Sequence, residues 1–506
     1  MSLQLSVPPF HRSTVPSFFR AVLIVGLFAV TTAHVGSPNV VFDGNAGPYG
    51  VRVIVRPPMV VPGLAEVIVR VNSDDVSRVG IRPVFWRAGV KGSPTPDEIA
   101  RVAGQTRLYS GHLWLMSRGA YSIYVNVDGA RGSGTAIVPV SSFATGRLDL
   151  PKGLGAILVL LTILLVAGLL TIVRAAAGDS LLAPGESMSA TRRRTANVAM
   201  GIAVPVITIA LFGGARWWSA VDRLYERTMF RPPAADVSVS VDSTHRTLFL
   251  YVHDTSQFRA IFSPVVPDHG KMMHLFLVGR TGAQVFAHLH PVEAESLHFT
   301  TELPWVPAGP YLLFGDIATE NGLSLTVSNR IDIPAAPGSV QASDPDDAWD
   351  WTTHVTAGVP NATRQLTSGG YTMTWDTQTP IVAGRAVDLA FSVRDSAGNV
   401  VPLQPYLGMA GHAIVVRHDA SVFIHLHPMG TIAPVTQRVF AQRDAGDTTT
   451  AGRLRTVSLP DDHMVMPLSG TLAFPYEFPK PGRYRIWVQV KPKDQVLTGT
   501  FDVDVR

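Results

Sequence analysis

The sequence of 506 residues contains no cysteine. Disulfides, thiolate metal sites, iron–sulfur clusters and cysteine nucleophiles are therefore excluded. Charged residues are scarce too, at 16% against about 25% in an ordinary soluble protein. The chain has 16 histidines and 13 methionines, so a soft metal ion would have to be bound by imidazole or thioether groups.

Several functional classes have no motif in this sequence. There is no Walker-type phosphate loop, no G-x-G-x-x-G fingerprint, no G-x-S-x-G elbow and no H-E-x-x-H motif. The net charge of +4 is too small an excess to predict nucleic-acid binding. The low charge, together with 46% hydrophobic residues, instead predicts membrane segments.

The N-terminal segment predicts export. An apolar run at 21–30 follows basic residues and precedes small residues that end at Ala33. This order is typical of a secretory signal peptide over residues 1–33. Cleavage after Ala33 would make His34 the mature N-terminus, and the alternative is an uncleaved membrane anchor.

Two further apolar runs predict transmembrane helices, at 154–175 and 196–214. The loop between them, 176–195, contains three consecutive arginines, and the positive-inside rule places such a loop in the cytoplasm. Residues 34–150 and 217–506 would then both face the exported compartment. We expect a bacterial inner-membrane protein whose domains face the periplasm or the cell exterior.

The exported parts predict a mainly β protein with three β-sandwiches. In residues 34–150, short segments rich in β-branched and aromatic residues alternate with Gly and Pro clusters, and only 96–103 is typical of a helix. The acidic join between the last two sandwiches is typical of a solvated linker, with a calcium loop as the alternative. In chain order, the later segments are a juxtamembrane helix, a second sandwich, the linker and a third sandwich, at 217–232, 235–335, 336–364 and 365–506.

The last two sandwiches contain an internal repeat. Each copy has a strand that begins with histidine, then a turn, then a strand that ends in His-Leu-His-Pro, and later a Pro-Gly-aromatic hairpin element. The matched histidines are His274, His288 and His290 in the first copy and His412, His425 and His427 in the second.

This pattern predicts converging imidazoles. Successive side chains of a strand alternate faces, so His-x-His places both rings on one face. A three-residue hairpin loop would place His274 directly opposite His288, and His412 would lie opposite either His425 or His427. Imidazole suits copper and zinc. We therefore predict two metal sites, each formed by the three histidines of one repeat, for copper or alternatively zinc.

Other residues could extend these sites. Thioether groups favour Cu(I), and the additional candidates near the repeats are Met273, Met409, Met429, His463 and Met466. A separate hypothesis concerns the mature N-terminus, where the amine and imidazole of His34 could chelate copper as a histidine brace. That needs another histidine, and His112 is the candidate in the first sandwich, although a packed structural role for His112 is favoured.

Two resemblances follow from these motifs. The pattern His412-Ala-Ile-Val-Val, Phe423-Ile-His-Leu-His-Pro and the later Pro-Gly482-Arg-Tyr-Arg-Ile-Trp strand resembles exported, membrane-associated YtkA-like and FixH-like proteins, over residues 235–506. The start His34-Val-Gly-Ser-Pro is loosely similar to CopC-type copper-resistance proteins. The resemblance implies Ig-like or cupredoxin-like sandwiches and periplasmic copper handling or metalloenzyme assembly. The lack of cysteine excludes a blue-copper site.

The sequence therefore predicts a membrane-anchored periplasmic protein that binds or delivers copper without turnover. Its expected partner is a metalloenzyme or metal transporter in the same membrane. One alternative is a structural or interaction module whose histidines only pack. The second alternative is a histidine-brace copper oxidase that uses His34.

Overall fold

The computed structural model describes residues 39–179, 182–183, 185–242, 245–253, 264–280, 284–335, 344–352, 355–366, 369–446 and 468–506. The predicted signal peptide and His34 lie outside this range. The described chain is mainly β, as predicted, and it also contains two long apolar helices.

The N-terminal unit, residues 40–142, consists of two sheets around one core. Its strands are β1 Val40–Ala46, β2 Tyr49–Arg56, β3 Gly63–Val71, β4 Val76–Phe85, β5 Asp97–Glu98, β6 Ala100–Arg101, β7 Leu108–Leu115, β8 Gly119–Gly129 and β9 Gly132–Ser142. The sheet orders are β1-β2-β3-β7-β6 and β5-β4-β8-β9. Alternate apolar residues such as Val67 and Ile123 are fully buried between the sheets.

The predicted helix at 96–103 is wrong. This segment forms β5, which pairs with β4, and β6, which pairs with β7. It therefore joins the edges of the two sheets, and only Ile99 between the two strands is buried. Pairing with free sheet edges outweighs the local helical preference.

The membrane-span prediction agrees with α1 Lys152–Gly178 and α2 Ala190–Thr228, both long and apolar enough to cross a membrane. However, the predicted span at 196–214 and the juxtamembrane helix at 217–232 are one continuous helix. The residues between them include no helix breaker, and α2 ends before Pro232-Pro233. Its final turns are bound to the N-terminal unit: the Tyr225 hydroxyl donates to the Gly146 carbonyl at 3.1 Å.

The middle unit, residues 235–352, also has two sheets. Its strands are β10 Ala235–Val241, β11 Arg246–Val252, β12 Val265–Val266, β13 His274–Gly279, β14 Gln284–Leu289, β15 Val292–Glu295, β16 His298–Glu302, β17 Gly309–Thr319, β18 Ser324–Ile333 and β19 Ala348–Thr352. One sheet is β10-β11-β16-β15, and the other is β12-β17-β13-β14-β19 with β18 also paired to β17.

The C-terminal unit, residues 356–505, follows directly. Its elements are β20 Thr356–Ala357, β21 Thr363–Gln365, β22 Thr372–Trp375, β23 Ala386–Arg394, β24 His412–Arg417, β25 Phe423–Leu426, α3 Pro434–Asp444, β26 Thr471–Glu477, β27 Gly482–Val490 and β28 Leu497–Val505. The sheets are β20-β28-β27-β24-β25 and β21-β22-β23-β26.

The internal repeat has a structural counterpart. The hairpin β13–β14 lies beside β17, and the hairpin β24–β25 lies beside β27 in the same order. Tyr311 on β17 and Tyr484 on β27 each donate a hydroxyl hydrogen bond of 2.7 Å to the carbonyl four residues earlier. The two histidine-bearing hairpins therefore occupy equivalent places in two sheets.

The predicted solvated linker at 336–364 is wrong in its described part. Residues 348–352 form β19, which pairs with β14 at the sheet edge. Their exposure alternates, with Asp350 buried and Trp351 exposed. Asp347, just before the strand, is also buried. The acidic residues are therefore part of the middle unit and its core.

The units are held together by pairing and by an ion pair. Phe42 of the N-terminal unit bridges to Gly430 of the C-terminal unit. Arg56 donates to both carboxylate oxygens of Glu477, at 3.0 and 2.8 Å. The Glu477 side chain is 0% exposed, so its charge depends on Arg56 for compensation.

Replacing Arg56 by alanine should destabilise the protein, because it leaves a buried carboxylate without its cation. Breaking a buried pair costs about 3–5 kcal/mol, and we expect somewhat less because Arg56 is 31% exposed. The measurement is thermal unfolding of the full-length protein in detergent. Arg78→Ala, which breaks the exposed pair with Asp128, is the control and should change little. Equal midpoints for both variants would contradict this role.

Candidate metal centre

The strand register places the histidines on shared faces but not in the predicted pairs. In the first hairpin, Phe276 lies opposite His288, so the predicted pairing of His274 with His288 is wrong. The connection is longer than three residues, and the register is shifted by two. A shift of two residues preserves the face, so His274 still lies on the face of His288. In the second hairpin, Ile414 lies opposite His425, and the pairing runs on toward His412 and His427.

The two hairpin faces pack against each other, which the sequence did not predict. Their apolar residues form one core between the middle and C-terminal units, here called the inter-unit core: Phe276, Val278, Phe286, Phe314, Ile414, Val416, Phe423 and Trp487. The imidazoles of both repeats meet at one end of this core. His274 and His425 have ring centroids 5.2 Å apart. The two predicted sites are thus a single histidine cluster.

Seven histidines form this cluster. They include the six predicted residues and His269, which precedes β13 in the turn 268–271. The rings of His269 and His412 are 5.5 Å apart, and those of His269 and His427 are 5.2 Å apart. Two sets of three have ligand atoms within 4.8 Å of one another: a first group of His274, His288 and His290, and a second group of His269, His412 and His427.

Hydrogen bonds orient the rings of the first group. His274 Nε2 donates to the Asp268 carbonyl at 3.3 Å, and His290 Nδ1 donates to Asp347 Oδ1 at 3.0 Å. His288 Nδ1 is 2.8 Å from Gln489 Oε1 and donates to it. In neutral rings these contacts leave lone pairs on His274 Nδ1, His288 Nε2 and His290 Nε2. The first two of these nitrogens are 3.1 Å apart, so the lone pairs converge.

Outer contacts support these orientations. Asp347 Oδ1 also accepts the backbone N–H of His290 at 2.8 Å. The Tyr406 hydroxyl donates to the Asp346 carbonyl at 3.0 Å and lies 3.2 Å from His288 Nδ1. Carboxylate and carbonyl acceptors of this kind fix the tautomer of metal-binding histidines. Sequence reasoning missed Asp347, although its position just before an alternating Trp-Asp-Trp strand could have indicated a buried residue.

The second group is oriented less completely. His427 Nδ1 donates to the Ile432 carbonyl at 2.9 Å, which leaves the Nε2 lone pair available. His412 is fully buried, and neither of its ring nitrogens has a hydrogen-bond partner within the described residues. The same holds for Nε2 of His290, His425 and His427. Five buried ring nitrogens therefore lack partners in the described part of the chain.

Burial keeps these rings neutral. Burial, reinforced by the neighbouring imidazoles, holds the pKa values of His274, His288, His412 and His425 well below the ordinary histidine value. Burial also lowers the pKa of His427 to about 4, although Asp268 opposes the shift. Neutral imidazole is the metal-binding form, so the cluster is prepared for a cation other than the proton.

A cavity of about 60 Å³ opens onto the cluster, where it is lined by His274, His425 and His427. Asp316 also lines it and lies 3.6 Å from His425 Nδ1, and burial raises the pKa of Asp316 to about 7. A larger cavity of about 180 Å³ lies where the three units meet, and it shares the lining residue Ile424 with the first. The cluster is therefore accessible to a small ion through this junction.

The other predicted residues do not all join the cluster. Met273 is fully buried in the core of the middle unit, on the opposite face from His274. Met429 packs against the core of the N-terminal unit. Met409 forms a tight turn through its N–H bond to the Tyr406 carbonyl. His463 and Met466 lie outside the described residues.

The structure also corrects the reading of His112. This residue is exposed on β7, opposite Glu66, so the favoured packed role is wrong. The reason is that His112 lies on the outer face of its sheet, while Leu113 points inward. Its intended partner in a brace, His34, is not among the described residues.

The buried histidines should make stability depend on pH. The unfolded chain takes up protons near pH 6.5, whereas the buried rings do not, so the unfolded state binds more protons and stability falls with pH below about 6.5. The window extends to the pKa of His427, about 4. The raised pKa values of Asp268 and Asp316 act in the opposite direction, but the lowered histidines are more numerous. Metal-free full-length protein should unfold at a lower temperature at pH 5 than at pH 7.5, and an equal or higher midpoint would contradict neutral burial.

Comparisons with known proteins identify little. Residues 365–506, the C-terminal part, match a family described as a domain of unknown function, DUF8832. No curated protein matches the chain. Among solved structures, a tetra-tandem repeat from the extending region of a large adhesion protein is 9% identical with a TM-score of 0.14, covering 88% of this chain and 71% of that one. Salmonella alpha-2-macroglobulin is 9% identical with a TM-score of 0.19, covering 93% and 23%.

A putative membrane anchored protein from Corynebacterium diphtheriae is also similar in structure, at 9% identity and a TM-score of 0.14. The match covers 92% of this chain and 96% of that one. Likeness at this level carries no functional argument. The candidate function therefore depends on the histidine cluster.

Proposed function

We propose that this protein is a membrane-anchored, exported metal-binding protein that handles copper, with zinc as the alternative ion. The observation that carries the proposal is the set of five buried ring nitrogens without hydrogen-bond partners in the described chain. Each buried unsatisfied polar atom costs about 1–3 kcal/mol. A bound metal ion would use these lone pairs and remove that cost.

The donor set supports a borderline rather than a soft ion. The cluster contains imidazoles and nearby carboxylates, and the candidate Met273 and Met429 are packed in other cores. Imidazole suits copper and zinc, and affinity for a given nitrogen site is highest for Cu(II) among the divalent ions. A tetrahedral ion with bonds of about 2.0 Å has ligand nitrogens about 3.3 Å apart. The 4.8 Å limit within each group therefore requires a small inward movement of the rings.

Access and anchoring support handling or delivery rather than a sealed structural ion. The 60 Å³ cavity reaches three of the histidines, so an ion could enter and leave without unfolding. We place the protein in a bacterial inner membrane, with α1 and α2 as spans, the arginine-rich connection in the cytoplasm and the three units, as Ig-like or cupredoxin-like sandwiches, in the periplasm. A signal peptide over 1–33 and a metalloenzyme or metal transporter as partner complete the proposal.

The test is the metal content of the purified full-length protein in detergent. Chelator-stripped protein is dialysed against Cu(II) or Zn(II), and bound metal per chain is measured for the wild type and for His288→Ala/His290→Ala/His425→Ala/His427→Ala. His298→Ala, an exposed histidine outside the cluster, is the control. The proposal predicts tightly bound metal in the wild type and control and its loss in the quadruple variant. Equal, negligible metal in all three would refute it.

Two alternatives lead to different results. If the protein is a structural or interaction module with packed histidines, the wild type binds no metal, and the quadruple variant changes only stability. If it is a histidine-brace oxidase, N-terminal sequencing of the exported protein must start at His34. Any other start removes that alternative.

A further inference from the structure

We infer that the histidine cluster is a two-metal centre, in which His269 of the middle unit completes the second metal's ligand set with two histidines of the C-terminal unit. The inference rests on the proposed metal binding and specifies its stoichiometry and composition. It differs from the sequence prediction of one site per repeat, because the second site is shared between the repeats.

The two ligand groups are adjacent but separate. Within each group the ligand atoms lie within 4.8 Å of one another. Between the groups, the rings of His269 and His274 are 6.2 Å apart, and those of His288 and His412 are 6.4 Å apart. One ion cannot bind atoms of both groups at bond lengths near 2 Å, whereas two ions can occupy neighbouring positions.

His425 lies between the groups instead of completing the second one. Its ring is 5.2 Å from both His274 and His412, and its Nε2 has no partner in the described chain. The third member of the second group is His269, which the fold brings in from the other unit. The second ion would therefore link the middle and C-terminal units, and neither unit alone offers its full set.

The backbone at His269 is an independent observation. His269 has φ of 51° and Gly270 has φ of 76° in the turn between the bridged residues Asp268 and Lys271. Two consecutive left-handed residues are typical of a type I′ turn, in which Asn, Asp or Gly is favoured at the first position. A histidine there is strained, and such strain is found where a side chain has a function. Here the strained residue turns its ring toward His412 and His427.

The surrounding charges suit more than one cation. Asp347 contacts the first group through His290, and the side chain of Asp268 lies beside the turn that carries His269, where its Oδ1 accepts the Val435 N–H at 3.1 Å. Asp316 faces His425 from β17. These three carboxylates come from one unit and surround both groups. Buried cations need such paired negative charges.

The experiment uses a substitution that removes the ring and relieves the backbone. His269→Gly places the residue that tolerates left-handed φ best at this position, so the variant should fold at least as well as the wild type. Full-length protein in detergent is loaded with Cu(II), and copper per chain is measured together with electron paramagnetic resonance. His290→Ala serves as the matched variant in the first group, and thermal unfolding checks that each variant is folded.

The expected result is two copper ions in the wild type, with a spin count below two because neighbouring Cu(II) ions couple. His269→Gly and His290→Ala should each retain one ion with an uncoupled, mononuclear signal. A wild type with one ion, or His269→Gly with two coupled ions, would overturn the two-metal centre while leaving metal binding intact. No copper in the wild type would instead refute the proposed function itself.

Discussion

Phe423→Ala is expected to destabilise the protein by about 3–5 kcal/mol, the usual cost of truncating a buried phenylalanine. Phe423 is fully buried at the centre of the inter-unit core. It stacks on Phe314 at 4.2 Å and contacts Phe276 at 5.4 Å. Both of these partners belong to the middle unit, so the cavity would form in the contact that holds the two hairpins together.

The same substitution should also weaken metal binding, although Phe423 touches no metal. Phe276 stacks on His288 at 4.4 Å and contacts His425 at 5.0 Å, so loosening of the core frees the rings that it supports. The measurements are thermal unfolding and Cu(II) affinity of the full-length protein. Phe391→Ala, in the separate core of the C-terminal unit, is the matched control. It should lower stability similarly with a smaller loss of affinity, and equal losses would contradict an orienting role of the inter-unit core.

Asp347→Ala is expected to lower the Cu(II) affinity of the first group about 10–100-fold, the usual effect of removing an outer partner of a histidine ligand. Asp347 accepts two N–H groups of His290, at 2.8 and 3.0 Å, and so fixes the ring and its tautomer. Asp347→Asn keeps an acceptor oxygen and removes only the charge. Its loss of affinity should therefore be smaller.

Asp350→Asn provides the control for this pair of variants. Asp350 is buried nearby on β19 and lies opposite Phe286. It should leave the affinity unchanged. Competition titration with a chelator of known affinity gives the ratios. If Asp347→Ala binds copper as tightly as Asp350→Asn does, Asp347 is not a positioning residue.

Local periodicity was enough to predict the parts of the site that lie on strands. The period of two placed His288 and His290 on one face, and a register error of two residues left that face unchanged. The same rule held for His425 and His427. Apolar length and absence of charge also predicted α1 and most of α2.

Contacts between distant elements could not be predicted in this way. Which face of one sheet packs on another depends on the shapes of whole units, so the merging of two sites into one cluster was missed. His269 is in a turn, where no periodicity applies, and only the His-Gly step beside a strand marks it. The acidic stretch with Asp347 looked solvated because its charges were weighed more than the alternation of Trp349, Asp350 and Trp351.

The most direct test of metal ligation by the buried histidines is X-ray absorption spectroscopy of the copper-loaded full-length protein. Three or more nitrogen scatterers at about 2.0 Å, with the multiple-scattering pattern of imidazole, are predicted. The pattern should weaken in His288→Ala/His290→Ala and persist in His298→Ala. A shell of oxygen alone, or an imidazole pattern unchanged in the double variant, would contradict the assignment of the metal to this cluster.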